Sequence, residues 1–99
     1  MKAIGIMFKQ YRRKQIAELR SVTQKDIDLY KARTDNKNIS NASNIYYEDE
    51  NHNCISISSE DIKAGSPKLG DMIARNPKNH KDQWLVAKEY FNDNFEELI

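Results

Sequence analysis

The sequence predicts an α+β fold: a small antiparallel sheet of about three to four short strands, with an amino-terminal helix or long strand and a short terminal helix. Three observations predict it. Apolar residues recur at helical spacing near the amino terminus, short β-prone segments follow residue 53, and aromatic residues recur at helical intervals after residue 87. Ninety-nine residues suffice for one modest core, so residues 1–99 are predicted to form a single domain.

The amino-terminal segment, residues 4–22, fits two periodicities. A helix would place on one side the apolar residues Ile4, Phe8, Tyr11, Leu19 and Val22, with Ile16 at its edge. A strand would alternate Ile16, Glu18, Arg20 and Val22 with Ala17, Leu19 and Ser21. The helical period fits better, and the strand stays open as the alternative.

A second helix is predicted over residues 23–33, TQKDIDLYKAR. Thr23 is a suitable cap for its first turn, and Ile27 lies three residues before Tyr30, so both reach one side of the helix.

Residues 34–53, TDNKNISNASNIYYEDENHN, interrupt this pattern with six asparagines. Such a polar segment buries little apolar surface against its ordering entropy, so it is predicted to be an insertion, either a loop or a disordered stretch. Replacing residues 35–52 with a short Gly/Ser linker is therefore expected to leave the core intact.

Strand signals follow the insertion in CISIS (54–58), DMIAR (71–75) and QWLVA (83–87), and AKEYFNDNFEELI (87–99) predicts the terminal helix. Between the last two strands, Asn76-Pro77 is a turn initiator, because proline fixes its own φ and disfavours the helical region for the residue before it. The sequence thus predicts a hairpin with its tip at residues 75–82.

A catalytic interpretation of the same hairpin pairs His80 with Asp82 as a general base or a metal half-site, with His52, Cys54 and Glu48 as further ligands. The chain has only two histidines and one cysteine, without His-x-x-x-His or Cys-x-x-Cys spacing. The turn is therefore favoured. No catalytic residue, metal or cofactor is assigned, and the protein is not expected to be an enzyme.

Net charge is +1, but bases dominate residues 1–25 and 63–88 and acids dominate the rest. The basic residues Lys9, Arg12, Arg13 and Lys14 beside Tyr11 are a candidate phosphate-binding segment, which makes a nucleic-acid-binding regulator the alternative function. The chain has no apolar run long enough for a bilayer and no secretory signal in MKAIGIMF, so a cytoplasmic protein without membrane contact is expected. The lone Cys54 fits a reducing compartment.

Two segments carry a resemblance: FKQYRRKQIAEL (8–19) and GSPKLGDMIARNPKNHKDQWLVAKEYFNDNFE (65–96). Together they resemble the small accessory proteins of tailed bacteriophages that open with a Tyr-Arg-Arg/Lys-Lys segment and close with a Gly-Asp-x-Ile strand and an aromatic strand. Gln15 stands where that family usually has a proline.

The resemblance implies a phage product that acts in the cytoplasm of the host cell by binding a host protein and inhibiting or redirecting it, in a host-takeover or anti-defence role. Adjacent tyrosines followed by acids are a common composition for a protein-binding hot spot. The predicted partner-binding residues are Tyr46, Tyr47, Glu48, Asp49 and Glu50. In the alternative interpretation these tyrosines only anchor the loop onto the sheet.

Overall fold

The computed structural model describes residues 7–12, 16–35 and 44–98. Within these ranges, five strands form one sheet and three segments are helical. The elements in chain order are β1 (Glu18–Ser21), α1 (Gln24–Asp35), β2 (Asn44–Glu48), β3 (Cys54–Ser58), α2 (Ser59–Lys63), β4 (Met72–Asn76), β5 (Asn79–Val86) and α3 (Lys88–Asn94).

The strand order is β1-β4-β5-β3-β2. Neighbouring strands are antiparallel except β3 and β5, which run parallel. The predicted α+β class is therefore confirmed. The sheet itself differs from the prediction, because it is mixed and contains one strand more than the upper estimate.

Helix α1 begins with a reciprocal cap. The Thr23 hydroxyl accepts a hydrogen bond from the Asp26 backbone N–H at 3.2 Å, and the Asp26 carboxylate accepts one from the Thr23 backbone N–H at 2.9 Å. This capping box satisfies two donors that the first turn would otherwise leave without a partner. The predicted second helix is confirmed, and it continues two residues further, to Asp35.

The helix favoured for residues 4–22 is wrong where the structure describes the chain. Glu18–Ser21 form β1, and residues 7–12 and 16–17 adopt no regular structure. Pairing with β4 places Leu19 opposite Ala74 and Ser21 opposite Met72, so the ladder supplies hydrogen bonds and apolar contact together. Tertiary pairing thus overrides the helical period. Residues 1–6 and 13–15 lie outside the described ranges.

The predicted insertion, residues 34–53, contains a strand of the sheet. Asn44–Glu48 form β2, in which Ile45 and Tyr47 point into the core and Tyr46 and Glu48 point outward. A turn follows, in which Asp49 Oδ1 accepts hydrogen bonds from the N–H groups of Asn51 and Asn53, each at 2.9 Å. The polarity of residues 44–53 reflects this turn and one exposed strand face. Residues 36–43 lie outside the described ranges.

The predicted β4–β5 hairpin is confirmed, and the predicted terminal helix is confirmed for Lys88–Asn94 only, because residues 95–98 adopt no regular structure. The turn is shorter than predicted, because only Pro77 and Lys78 lie between the strands. The Asn76 side chain accepts from the Lys78 N–H at 2.9 Å, an Asx turn that closes the connection. His80 and Asp82 therefore lie within β5 and not at a loop tip.

Asp71 holds the connection before β4 against the start of α3. Its side chain is completely buried and accepts hydrogen bonds from the Ser66 hydroxyl at 2.7 Å and the Lys68 N–H at 3.0 Å. The Lys88 N–H, the first of α3, donates to the other carboxylate oxygen at 2.9 Å. Asp71 thus caps a helix from outside it.

The two faces of the sheet differ. One face forms the hydrophobic core with α1 and contributes Tyr47, Ile55, Ile57, Ile73 and Leu85, which pack with Val22 and Ile27. The rings of Tyr30 on α1 and Tyr47 on β2 meet edge to face, 6.3 Å between centroids. The opposite face, on which Tyr46 and Trp84 are exposed but Ala74 and Val86 are buried, is called the open face below.

Candidate functional site

A row of side chains crosses the open face through all five strands. Leu19 is paired with Ala74, Ala74 with Trp84, Trp84 with Ser56, and Ser56 with Tyr46. Residues directly opposite each other on paired strands project from the same face. The register therefore aligns one tryptophan and one tyrosine across the sheet with a serine between them.

Both aromatic side chains of this row are exposed, Trp84 by 39% and Tyr46 by 47%. Strands β5 and β2 lie two spacings apart, about 9–10 Å. The small Ser56 lies on the strand between them, so the two exposed aromatic residues are separated across Ser56 by a space called the gap below. Exposed rings at this separation offer contact to an aromatic or aliphatic side chain of another molecule.

Acidic residues lie on one side of this gap. Glu48 follows Tyr46 by two residues on β2, and Asp82 precedes Trp84 by two residues on β5, so each shares the open face with its aromatic neighbour. Glu50 is exposed in the turn after β2. The aromatic face, defined as Tyr46, Trp84, Ser56, Glu48, Asp82 and Glu50, therefore carries two exposed rings with acidic residues on one side of them.

The Tyr46 ring already contacts one cation of its own chain. The guanidinium carbon of Arg33, in the last turn of α1, lies 4.1 Å from the ring centroid. This is cation–π distance, so the Tyr46 ring already contacts one positive group of its own chain at the β2 edge.

A polar network joins three elements on the core face. Arg20 on β1 forms a bidentate ion pair with Asp26 on α1, with nitrogen–oxygen distances of 2.8 and 3.0 Å. Arg20 also reaches Asp49, after β2, at 3.4 Å. The Tyr47 hydroxyl donates to Asp26 Oδ1 at 2.9 Å. Asp26 and Asp49 are both buried, so the network ties β1, α1 and the β2 end together.

The environment fixes the protonation of this network. Burial alone would raise the pKa of Asp26, but hydrogen bonds from Arg20, Thr23 and Tyr47 outweigh it and lower that pKa to about 2. The pKa of Tyr47 is raised by burial and by its hydrogen bond to Asp26. The hydrogen bond with Asp26 raises the pKa of Arg20. A carboxylate this acidic is a weak proton acceptor at neutral pH, so the network holds the structure and is poorly suited to general base catalysis.

A cleft of about 320 Å³ borders the network. Glu18, Arg20, Asp49 and Arg75 contribute its charges. Arg75 Nε lies 2.6 Å from Glu18, and Arg20 lies between its two aspartates, so each cation of the cleft already has an acidic neighbour. These pairings leave little driving force for a charged ligand.

The structure separates the five predicted partner-binding residues. Tyr46, Glu48 and Glu50 are exposed and belong to the aromatic face. Tyr47 is completely buried and Asp49 nearly so, which places both in the core. Trp84, which the sequence reading assigned only to a strand, joins the exposed group instead. QWLVA has no alternation in sequence that marks Trp84 as exposed; its exposure follows from the burial of Gln83 and Leu85 on the other face of β5.

The alternative catalytic residues are not brought together. His80 Nε2 lies 3.7 Å from Glu18, and Asp82 lies 3.5 Å from the Asn76 side chain. His52 Nδ1 lies 3.2 Å from Glu48. No group of three or more potential metal ligands from His, Cys, Asp and Glu occurs among the described residues.

The described residues of the basic segment extend away from the domain. Phe8 is 96% exposed and Tyr11 87%, with Lys9 and Arg12 also exposed. Arg13 and Lys14 lie outside the described ranges. Burying a large apolar side chain is worth about 1.5–3 kcal/mol, so this exposure indicates a segment that gains by contact with another surface.

No protein family model matches this sequence, and comparisons with curated proteins and with solved structures find no significant match. In the part of the chain that the structure describes, no helix is both long and apolar enough to cross a membrane.

Proposed function

We propose that this protein is a small bacteriophage accessory protein that binds a host protein through the aromatic face and thereby inhibits or redirects it. The observation that carries the proposal is the pair of exposed rings, Tyr46 and Trp84, aligned across Ser56 with acids around them. Exposed aromatic side chains grouped on a rigid surface are characteristic of binding hot spots.

The chemistry of the face specifies the partner. Its centre favours an apolar or aromatic side chain, and Glu48, Glu50 and Asp82 favour lysine or arginine nearby. A protein segment that presents an apolar residue beside a basic one meets both requirements. Binding of this kind blocks the partner's surface and needs no catalytic group.

Nucleic-acid binding is the second candidate, and one observation favours it. Lys9 and Arg12 are exposed on either side of an exposed Tyr11, an arrangement that can pair with phosphates and stack on a base. The aromatic face opposes this use, because its carboxylates repel phosphate. If the second candidate is correct, affinity for single-stranded or duplex DNA falls steeply with salt and depends on Lys9 and Arg12, but not on Tyr46.

The test compares two variants with matched charge change. Tyr46→Thr with Glu48→Lys alters the aromatic face and keeps a β-prone residue on β2. Asp28→Lys alters an exposed acid on α1, which packs on the other face of the sheet. Immobilised wild-type protein and both variants are exposed to bacterial lysate, and each retained protein is then purified and titrated directly.

We expect at least one purified host protein to bind wild type and Asp28→Lys equally, and the face variant at least tenfold more weakly. Equal binding to all three would exclude the aromatic face as the binding surface. Failure of any purified protein to bind wild type would exclude the function itself.

A further inference from the structure

The amino-terminal segment of this chain has the chemistry that the aromatic face selects. Its described residues, 7–12 and 16–17, are called the arm, and they carry exposed Met7, Phe8, Tyr11 and Ile16. Lys9 and Arg12 lie directly beside Phe8 and Tyr11. The arm thus presents an aromatic residue next to a cation, twice within five positions.

Charge and shape are complementary between the two surfaces. Tyr46 and Trp84 are exposed and offer contact to an aromatic ring, and the exposed Glu48 and Glu50 follow Tyr46 closely enough in the chain to pair with a lysine or arginine beside that ring. We infer that the arm of one copy of this protein binds the aromatic face of a second copy, with Phe8 or Tyr11 in the gap and Lys9 or Arg12 against the glutamates.

The occupant is a second copy because this chain's own arm does not cover its own face. Phe8 and Tyr11 are almost entirely exposed, and Trp84 and Tyr46 remain exposed beside Ser56. The arm also enters the fold at β1, whose Leu19 lies at one end of the aromatic row. Two copies related by a two-fold axis can therefore exchange arms reciprocally, which doubles the contact.

This self-association shares its surface with the proposed function but needs no host protein. A host segment with the same chemistry would compete with the arm for the gap. Either idea can therefore fail alone: the host-binding test depends on lysate proteins, whereas the experiment below uses only purified chain.

The experiment measures mass by sedimentation equilibrium across the micromolar range, together with the emission of Trp84, the only tryptophan of the chain. We expect a reversible dimer of the 11.6 kDa chain, with emission that shifts to shorter wavelength as the dimer forms. Phe8→Ser with Tyr11→Ser should weaken association at least tenfold. Phe8 and Tyr11 are almost entirely exposed, so their replacement should not disturb folding, and a thermal melt checks this.

A charge exchange makes the test specific. One variant carries Lys9→Glu and Arg12→Glu in the arm, and the other carries Glu48→Lys and Glu50→Lys on the face. Each alone places like charges together and should be monomeric, whereas their equimolar mixture restores opposite charges at both contacts and should form a heterodimer.

Three outcomes would overturn the inference. The first is a wild-type monomer at every concentration, and the second is a dimer that the arm variant does not weaken. The third is a monomeric wild type whose Trp84 emission differs from that of the arm variant by the same amount at all concentrations. That result would mean that the arm contacts the aromatic face of its own chain.

Discussion

The Tyr47 hydroxyl donates a hydrogen bond to Asp26 Oδ1 across 2.9 Å and so joins β2 to the first turn of α1. The same carboxylate binds Arg20 from β1 and the cap of Thr23. The neighbouring β1 and α1 and the more distant β2 are therefore joined by one buried carboxylate. The core on this side of the sheet is stabilised by hydrogen bonds and an ion pair as well as by apolar packing.

Tyr47→Phe should lower the free energy of unfolding by about 1.5–3 kcal/mol, since it removes a hydrogen bond to a charged group while keeping the ring. Tyr46→Phe is the matched control on the adjacent, exposed position and should change stability by less than about 0.5 kcal/mol. Urea unfolding followed by circular dichroism measures both. Equal losses in the two variants would contradict the assigned role of the hydrogen bond.

Acid should weaken the fold through Asp26. Its folded pKa of about 2 lies below its ordinary value of 3.8, so its contribution is fully present above about pH 4 and is lost as pH falls from 4 through 2. The shift corresponds to about 2–3 kcal/mol. Urea unfolding at successive pH values should show this decline, and Asp26→Asn should start less stable and decline less. If the free energy of unfolding of Asp26→Asn declined with falling pH as steeply as that of the wild type, other carboxylates would be responsible for the acid sensitivity.

The second helix and the strand at residues 54–58 could be predicted because their signals are local. Thr23 and Asp26 stand three apart as a capping box requires, and Ile55 and Ile57 alternate with polar residues. Strand β2 could not be recognised in the same way. Its alternation of Ile45 and Tyr47 spans only five residues beside an asparagine-rich stretch, and its burial depends on β3 and α1.

The mixed sheet and the aromatic face depend on pairings between distant segments. Nothing local to CISIS or QWLVA indicates that β3 and β5 run parallel, yet that register is what aligns Trp84 with Ser56 and Tyr46. The acids after Tyr46 could be predicted as a binding composition, but which tyrosine faces outward follows only from the register. A prediction from sequence order therefore groups Tyr46 with Tyr47, whereas the register places them on opposite faces.

Replacing residues 35–52 with a short Gly/Ser linker should abolish cooperative unfolding, in contrast to the expectation from sequence, because it removes β2 from the sheet. Ile45→Ala tests the same point at one position and should cost about 2–5 kcal/mol. The exposed Ile16→Ala is its matched control and should cost less than about 0.5 kcal/mol. A linker variant that melts cooperatively at the wild-type temperature would contradict the place of β2 in the core.

Asp71→Ala should destabilise the protein by about 3 kcal/mol or more, because the N–H groups of Lys68 and Lys88 lose their acceptor. Asp82→Ala removes the same carboxylate from an exposed position on β5 and should have little effect. Thermal and urea unfolding measure the difference. Similar stability of the two variants would show that α3 begins equally well without its external cap.

Arg33 should oppose the binding of basic segments to the aromatic face, because its guanidinium stands 4.1 Å from the Tyr46 ring and places a positive charge there. Its Nε atom is buried without a hydrogen-bond partner among the described residues, so the ring contact is not reinforced by a hydrogen bond from that atom. Arg33→Gln should therefore lower stability by only about 0.5–1 kcal/mol. In the same variant, binding of a basic aromatic peptide should become stronger.

The probe is a synthetic peptide with the sequence of residues 7–17, MFKQYRRKQIA, titrated into protein that carries Phe8→Ser and Tyr11→Ser so that self-association does not interfere. Trp84 emission reports its binding. Removing the Arg33 charge frees the ring and weakens repulsion of the peptide's cations, so we expect the dissociation constant to fall roughly two- to tenfold. Lys31→Gln, which removes the same charge from an exposed position elsewhere on α1, should change it less. Weaker binding in Arg33→Gln would show instead that Arg33 orients Tyr46 for its ligand, and would place the arginine in the binding surface.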